Sequence, residues 1–162
     1  MDIIGPVTAA MLDYYTGDVR RVNHFLKVYG FARAIGILEQ LDAGTQKILE
    51  LASLTHDIGI RNSEQKYQSS AGHYQQLEGP PEARALLEKL GANASEIERV
   101  CWLIAHHHTY TDIQGLDYQI LVEADFLVNA WEDELSPEAI ASFRDRVFKT
   151  ATGIAMLEKL YG

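Results

Sequence analysis

Leu54-Thr55-His56-Asp57-Ile58-Gly59 closes a run in which Ile48, Leu49, Leu51, Ala52 and Leu54 recur at helical spacing. An imidazole and a carboxylate therefore stand side by side at a helix end. Packing does not reward that placement, because burying an unpaired charge costs far more than it returns. A bound cation would offset the cost. The chain has six histidines, His24, His56, His73 and the triplet His106-His107-His108, and most of them end or interrupt a helical apolar pattern.

Outward from this run, helix signals recur and strand signals do not, since no stretch alternates apolar and polar residues over several positions. Asp18 reads as the N-cap of a helix reaching about residue 40, with Val22, Phe25, Leu26, Tyr29 and Ala32 on its apolar face. Thr45 reads as the cap of the helix that ends at His56. Residues 59–79, rich in Gly, Ser, Gln and Asn, read as an irregular connection with a short helical turn. Pro80-Pro81 then opens a helix over 82–90, with Gly91 where a C′ residue belongs. Ser95-Glu96-Ile97-Glu98 has the capping-box pattern and starts a helix through Trp102 to the histidine triplet. Further helices are expected over 118–131, from Ser136-Pro137-Glu138, and over 151–161, where Gly153 is a candidate break. The expectation is an all-α bundle of six or seven helices, folded as one domain over residues 1–162.

Charge narrows the range of partners. The net charge is -9, and the imbalance sits in the second half: residues 1–70 carry seven Lys/Arg against eight Asp/Glu, and residues 71–162 carry seven against fifteen. A chain with no basic stripe is not built to track a polymeric nucleic acid. A small phosphorylated molecule is a different matter, because Arg20, Arg21, Lys27, Arg33, Arg61 and Lys66 all lie in the near-neutral half, close in sequence to His24 and His56-Asp57. No apolar run approaches the roughly 20 residues of a membrane-spanning helix. The single cysteine, Cys101, excludes an internal disulfide framework, and the first residues lack the basic region of a signal peptide. A cytoplasmic protein, with no membrane partner, is the expectation.

Four residues form the candidate centre. His24 lies on the first long helix, His56 and Asp57 end the second, and Asp125 interrupts the apolar segment from Ile120 to Val128. A carboxylate flanked by apolar residues on both sides needs a partner. Two imidazoles and two carboxylates make a hard-to-borderline N/O set suited to a divalent Mn, Fe, Co, Ni, Zn or Mg ion.

This order, His…His-Asp…Asp on successive helices, resembles the HD-domain superfamily of metal-dependent phosphohydrolases. The resemblance spans about residues 20–130 and leaves 131–162 as C-terminal helices. Arg21-Val22-Asn23-His24 is similar to the first family motif and His56-Asp57-Ile58-Gly59 to the second. The stretch from Glu78-Gly79-Pro80-Pro81 to Ala105-His106-His107-His108-Thr109-Tyr110 resembles a small bacterial subgroup of single-domain HD proteins. The resemblance implies hydrolysis of a phosphomonoester or phosphodiester, with His24, His56, Asp57 and Asp125 holding a divalent metal that activates water. Asp57 would also orient the water. Arg21, one turn before His24, is either a bidentate phosphate ligand or a solvated surface arginine.

Other positions stay open between two readings. Some HD phosphodiesterases carry an additional histidine and a His-His pair that hold a second metal, and His73 and His106-His107 stand in broadly similar places. His106 and His107 are read either as ligands of a second metal or phosphate, or as helix C-terminal caps. His73 is read as a solvated loop residue and His108 as peripheral. A lysine often follows the His-Asp-x-Gly motif in the superfamily, whereas Ile60-Arg61 stands here; Arg61 supplies the charge with a different geometry. Asn129, one turn after Asp125, is a substrate-binding candidate or a core amide. Tyr67, Tyr74, Tyr110 and Tyr118 either stack on a base or pack, Trp102 and Trp131 are expected in the core, and no geometry is fixed for Glu64 or Glu78 as an acid or base. The expected activity is cleavage of a small phosphorylated metabolite, a nucleotide by preference. The alternatives are a non-catalytic nucleotide or metal sensor and a helical scaffold with fortuitous histidines.

Overall fold

The computed structural model describes residues 2–162, and helices account for most of them. There are nine helices among the described residues: α1 (Ile4–Tyr14), α2 (Val19–Leu38), α3 (Ala43–Thr55), α4 (Ile60–Tyr67), α5 (Gly72–Lys89), α6 (Ala94–His106), α7 (Leu116–Glu132), α8 (Pro137–Val147) and α9 (Ala151–Tyr161). The all-α expectation agrees with this. The count of six or seven does not, for two local reasons. At the N-terminus, Val7 and Met11 repeat at helical spacing and are fully buried, a signal too short to stand out by periodicity. Between 59 and 79 the expected irregular connection is α4 plus the first two turns of α5.

Pro80 and Pro81 lie inside α5 and do not open it. A proline within a helix removes a backbone donor and crowds the preceding turn, at a cost of about 3 kcal/mol. Here Gln75, Gly79, Ala83 and Leu87 form a buried stripe, one residue every four, that runs straight past the prolines. Packing of that stripe overrides the local preference. The carbonyl of Pro80 meanwhile accepts from the Cys101 thiol at 3.5 Å.

Caps set the other boundaries. Asp18 caps α2 as expected, accepting from the Arg21 amide. Helix α3 is capped by Asp42, not Thr45, whose amide is the donor at 2.9 Å. Helix α6 is capped by Asn93, which forms the capping box with Glu96, so the box begins two residues before Ser95. Ser136 caps α8. Gly153 does not break α9; its amide donates to the Thr150 hydroxyl at the start of the helix.

Helices α2, α3 and α7 pack around the centre of the core, where Phe25, Val28, Leu49, Leu51, Leu54, Ile120 and Leu121 exclude nearly all solvent. Two close approaches hold further elements in place. Gly59, just after the His-Asp pair, lies so near α5 that a Cβ there would meet the Gln75 carbonyl oxygen and the Gly79 amide nitrogen, each at 2.6 Å. Glu123 of α7, fully buried, accepts from Gln119 Nε2, the Lys149 and Thr150 amides and the Thr150 hydroxyl, which fixes the start of α9. The tryptophans are not core residues: Trp131 is 74% exposed and Trp102 is 38% exposed. Among the described residues, no helix is long and apolar enough to cross a membrane.

Candidate metal centre

Three pieces of the fold converge on one point. His24 projects from α2, Asp125 from the middle of α7, and His56 and Asp57 occupy the break between α3 and α4. His24 Nε2 lies 3.1 Å from Asp57 Oδ2 and 3.1 Å from Asp125 Oδ1. His56 Nε2 lies 3.3 Å from each of the same two oxygens and 3.3 Å from His24 Nε2. An ion bound by nitrogen and oxygen at about 2.0–2.2 Å has neighbouring ligands about 3.0–3.5 Å apart, the range seen here. His56 is fully buried, and Asp125 and His24 are 4% and 8% exposed.

The second nitrogen of each ring has its own partner, which fixes what the first can do. His24 Nδ1 is 2.6 Å from Glu132 Oε1, and His56 Nδ1 is 2.7 Å from the Ser53 carbonyl oxygen. These acceptors hold a proton on Nδ1 and leave Nε2 as the inward-facing atom, the arrangement by which acceptors behind a metal-binding imidazole set its tautomer. His107 repeats it. Its Nδ1 donates to the Ile104 carbonyl at 2.7 Å, and its fully buried Nε2 has no hydrogen-bond partner and lies 3.6 Å from Asp57 Oδ1. A fully buried, unsatisfied nitrogen beside a largely enclosed carboxylate is costly unless a cation joins them. The residues present therefore fit a divalent ion, with His24, His56, Asp57 and Asp125 as one set of donors and Asp57, His107 and His108 as an adjoining group.

Electrostatics agree with the geometry. Burial opposes an imidazolium at His24, but Asp125 and Asp57 outweigh it and push the pKa up to about 11. Burial likewise opposes charge on His56, and the same two carboxylates overcome it. Burial would raise the Asp57 pKa, yet His56, His107 and His24 hold the carboxyl well below the usual carboxylate range. Burial also works against ionisation of Asp125, where His56 and His24 prevail. The two carboxylates thus favour positive charge at the point where the four side chains meet. His108 is pushed the other way, down to about 4, first by burial and then by His107, so its ring is neutral at physiological pH.

The remaining candidates fall into two groups. Arg21 borders the cavity over the centre, about 310 Å³ in volume, together with Arg20, Asn129 and Asp133. Its guanidinium is engaged by Asp18 at 3.1 Å and by Glu64 at 2.9 Å. Asn129 sits at the edge of that cavity, half-buried. Arg61 is elsewhere: it donates to the Tyr14 carbonyl at 2.8 Å and lies over the Tyr14 ring, so the structure does not bring it to the centre. His106 also turns away, its Nδ1 donating to the Trp102 carbonyl and its ring stacked on Trp102. His108, expected to be peripheral, takes the position beside Asp57 instead; α6 ends at His106, and the chain turns there. Its Nε2 is 3.0 Å from Gln75 Oε1, and its amide donates to Gln76 Oε1. His73 is on α5 and exposed, its ring tilted against Tyr74.

Several contributors were missed. Glu132 lies two turns after Asp125 on α7, a spacing that carries both to one face, and this was a legible signal. Tyr15, whose hydroxyl donates to the Asp57 carbonyl at 2.7 Å, comes from the unexpected end of α1 and had none. Gln75 and Gln76 were hidden by the same misreading of 59–79.

A helical fold that gathers imidazoles and carboxylates from α2, the α3–α4 junction and α7 defines a domain built around a His/Asp centre. The family model described as HD domain matches residues 21–144, and the chain belongs to that family. Among solved structures, the crystal structure of a predicted HD superfamily hydrolase from an uncultured Thermotogales bacterium is similar, with 23% sequence identity and a TM-score of 0.71. The match covers 98% of this chain and 85% of that one, and it shows a shared fold. No curated protein matches the chain.

Proposed function

We propose that the protein is a metal-dependent phosphohydrolase that cleaves a phosphoester of a small phosphorylated metabolite, with a nucleotide as the preferred class. The observation that carries this reading is the convergence of His24 Nε2, His56 Nε2, Asp57 Oδ2 and Asp125 Oδ1, with the outer nitrogens of both imidazoles held by Glu132 and the Ser53 carbonyl. A divalent ion held by these atoms supplies Lewis-acid polarisation of the phosphoryl oxygen and acidifies a water. Asp57, held ionised by His56, His107 and His24, presents two oxygens, and Oδ1, 3.6 Å from His107 Nε2, would be the one to orient a water or to join His107 and His108 as donors to a second ion. The Arg21 guanidinium, at the cavity edge, takes up the negative charge of the phosphate as the Asp18 and Glu64 carboxylates give way. Asn129 and Arg20 border the same cavity and bind the departing part of the substrate. A cavity of about 310 Å³ is of the size that small-molecule sites have, which supports a metabolite as the substrate.

The test is to strip the protein with a chelator, reload it with Mn, Co, Ni, Zn or Mg, and incubate it with a panel of nucleotides and other phosphate esters. Turnover that needs metal and disappears in Asp57→Ala is expected. No turnover with any metal would refute the phosphohydrolase reading. The engagement of Arg21 by two carboxylates favours a second reading, a sensor that binds a nucleotide without cleaving it, and tight nucleotide binding with no product would select it.

A further inference from the structure

Next to Asp125 the cavity meets a second one of about 320 Å³, and the two share Asp125, Asn129 and Asp133. The chemistry of the second is different. Tyr110, Val122, Phe126 and Phe143 wall it, and Arg146 stands at its rim. The rings are fixed against one another: Phe126 and Phe143 have centroids 3.9 Å apart at 73°, and Tyr110 meets Phe143 at 5.1 Å and 80°. Phe126 is 6% exposed and Val122 is 2% exposed, so the floor is rigid, whereas Tyr110 is 39% exposed at the mouth.

An aromatic pocket opening onto one of the candidate metal ligands has no role in holding the ion, and a phosphate has no use for it. From these rings we infer that the Tyr110–Phe126–Phe143 pocket seats a planar aromatic portion of the substrate, with Asn129 and Arg146 meeting its polar edge, and that these residues determine specificity. The phosphoryl group then lies over His24, Asp57 and Asp125 while the ring lies in the adjoining cavity. Ring faces reward any flat heterocycle and give nothing to an aliphatic polyol. A cavity near the lower limit for small-molecule sites suits one ring system with its sugar. This inference rests on the phosphohydrolase reading for the orientation of the substrate, but not for the pocket itself.

The experiment separates the two. Calorimetry with adenosine, guanosine, cytidine and uridine, none of which carries a phosphate, reads the pocket alone; Phe143→Ala should weaken binding of the accepted nucleoside about tenfold, the usual cost of losing one stacking partner. In turnover assays the same variant should raise KM for the matching 5′-monophosphate about tenfold and leave KM for glycerol 1-phosphate unchanged. Should Phe143→Ala fail to fold, as judged by its melting curve, Tyr110→Leu at the exposed mouth carries the same test. Binding of none of the four nucleosides, or equal KM changes for nucleotide and glycerol phosphate, would overturn the inference. Nucleoside binding that the variant weakens, with no ester cleaved by the wild type, would instead sink the phosphohydrolase reading and leave the pocket standing.

Discussion

Replacing Gly59 with alanine adds one methyl group directly behind the His-Asp pair, and the structure sets what it meets. The new Cβ would stand 2.6 Å from the Gln75 carbonyl oxygen, 2.6 Å from the Gly79 nitrogen and 2.9 Å from Gly79 Cα. All three are backbone atoms, so no side chain can rotate away and α5 itself must move. The backbone at Gly59 has φ of -76°, open to any residue, so the cost is one of space and not of conformation. Overpacking of this kind costs about 1–3 kcal/mol. At this chain length 1 kcal/mol moves Tm by roughly 2–4 °C, so Gly59→Ala should melt roughly 2–12 °C lower. Gly30 is the matched control. It lies exposed in α2, and a Cβ there meets nothing within 4 Å. Gly30→Ala should gain roughly 0.5–1 kcal/mol from helix propensity and melt higher. Thermal unfolding followed by circular dichroism, in chelator and then with Mn, reads both. Gly59→Ala melting at or above the wild type, with Gly30→Ala behaving as expected, would refute the contact argument.

Three further outcomes follow from the site and its supports. Glu132→Gln weakens the acceptor behind His24 and should lower metal affinity about 10–100-fold in a calorimetric titration; unchanged affinity would show that Glu132 does not orient the ring. The metal-free protein should lose stability between pH 7 and 9. The folded-state pKa of His24 is about 11 against an ordinary 6.5, so its ion pairs contribute in full below 6.5 and fade as the pH rises toward 11. Metal loading should flatten that slope and release protons into the buffer, and a metal-free Tm that is level over this window would contradict it. Glu123→Gln removes the charge from a carboxylate that takes four hydrogen bonds and should cost about 2–3 kcal/mol in urea unfolding, with α9 exchanging its amides fastest; equal stability would remove Glu123 from the anchoring of α9.

The sequence was most legible where periodicity and chemistry coincide. Helix α2 with its Asp18 cap, α7 through its continuous apolar run, and α8 with Ser136 and Pro137 all read correctly, because each carries a local signal that packing reinforces. His24, His56, Asp57 and Asp125 were recognisable as groups in need of partners, and the fold does bring them together. The failures share one cause. In residues 59–79 the local composition speaks for a loop, while the Gly59–Gly79 approach and the buried stripe of α5 decide for helices, and neither is visible without the partner strand of chain. The triplet shows the same limit. A helix continued through 106–108 would give one register; the turn after His106 gives another, so His107 and His108 face Asp57 and His106 stacks on Trp102. Backbone acceptors such as the Ser53 and Ile104 carbonyls carry no sequence signature at all.

The hydroxyl of Tyr15, fastened to the carbonyl of Asp57, has a practical meaning for anyone who would cut or transplant this domain. The family motif region begins at residue 21, after α1. A fragment trimmed to that region would keep every inward-facing ligand and yet shed Val7, Met11 and Tyr15 from the interior, along with the brace on the motif's own backbone. At the other end it would lose α9, whose Tyr161 hydroxyl donates to the Leu127 carbonyl on the ligand-bearing helix. The portable module is therefore larger than the motif that identifies it, and a chimera that honours only the motif would inherit the ligands without the frame that aims them.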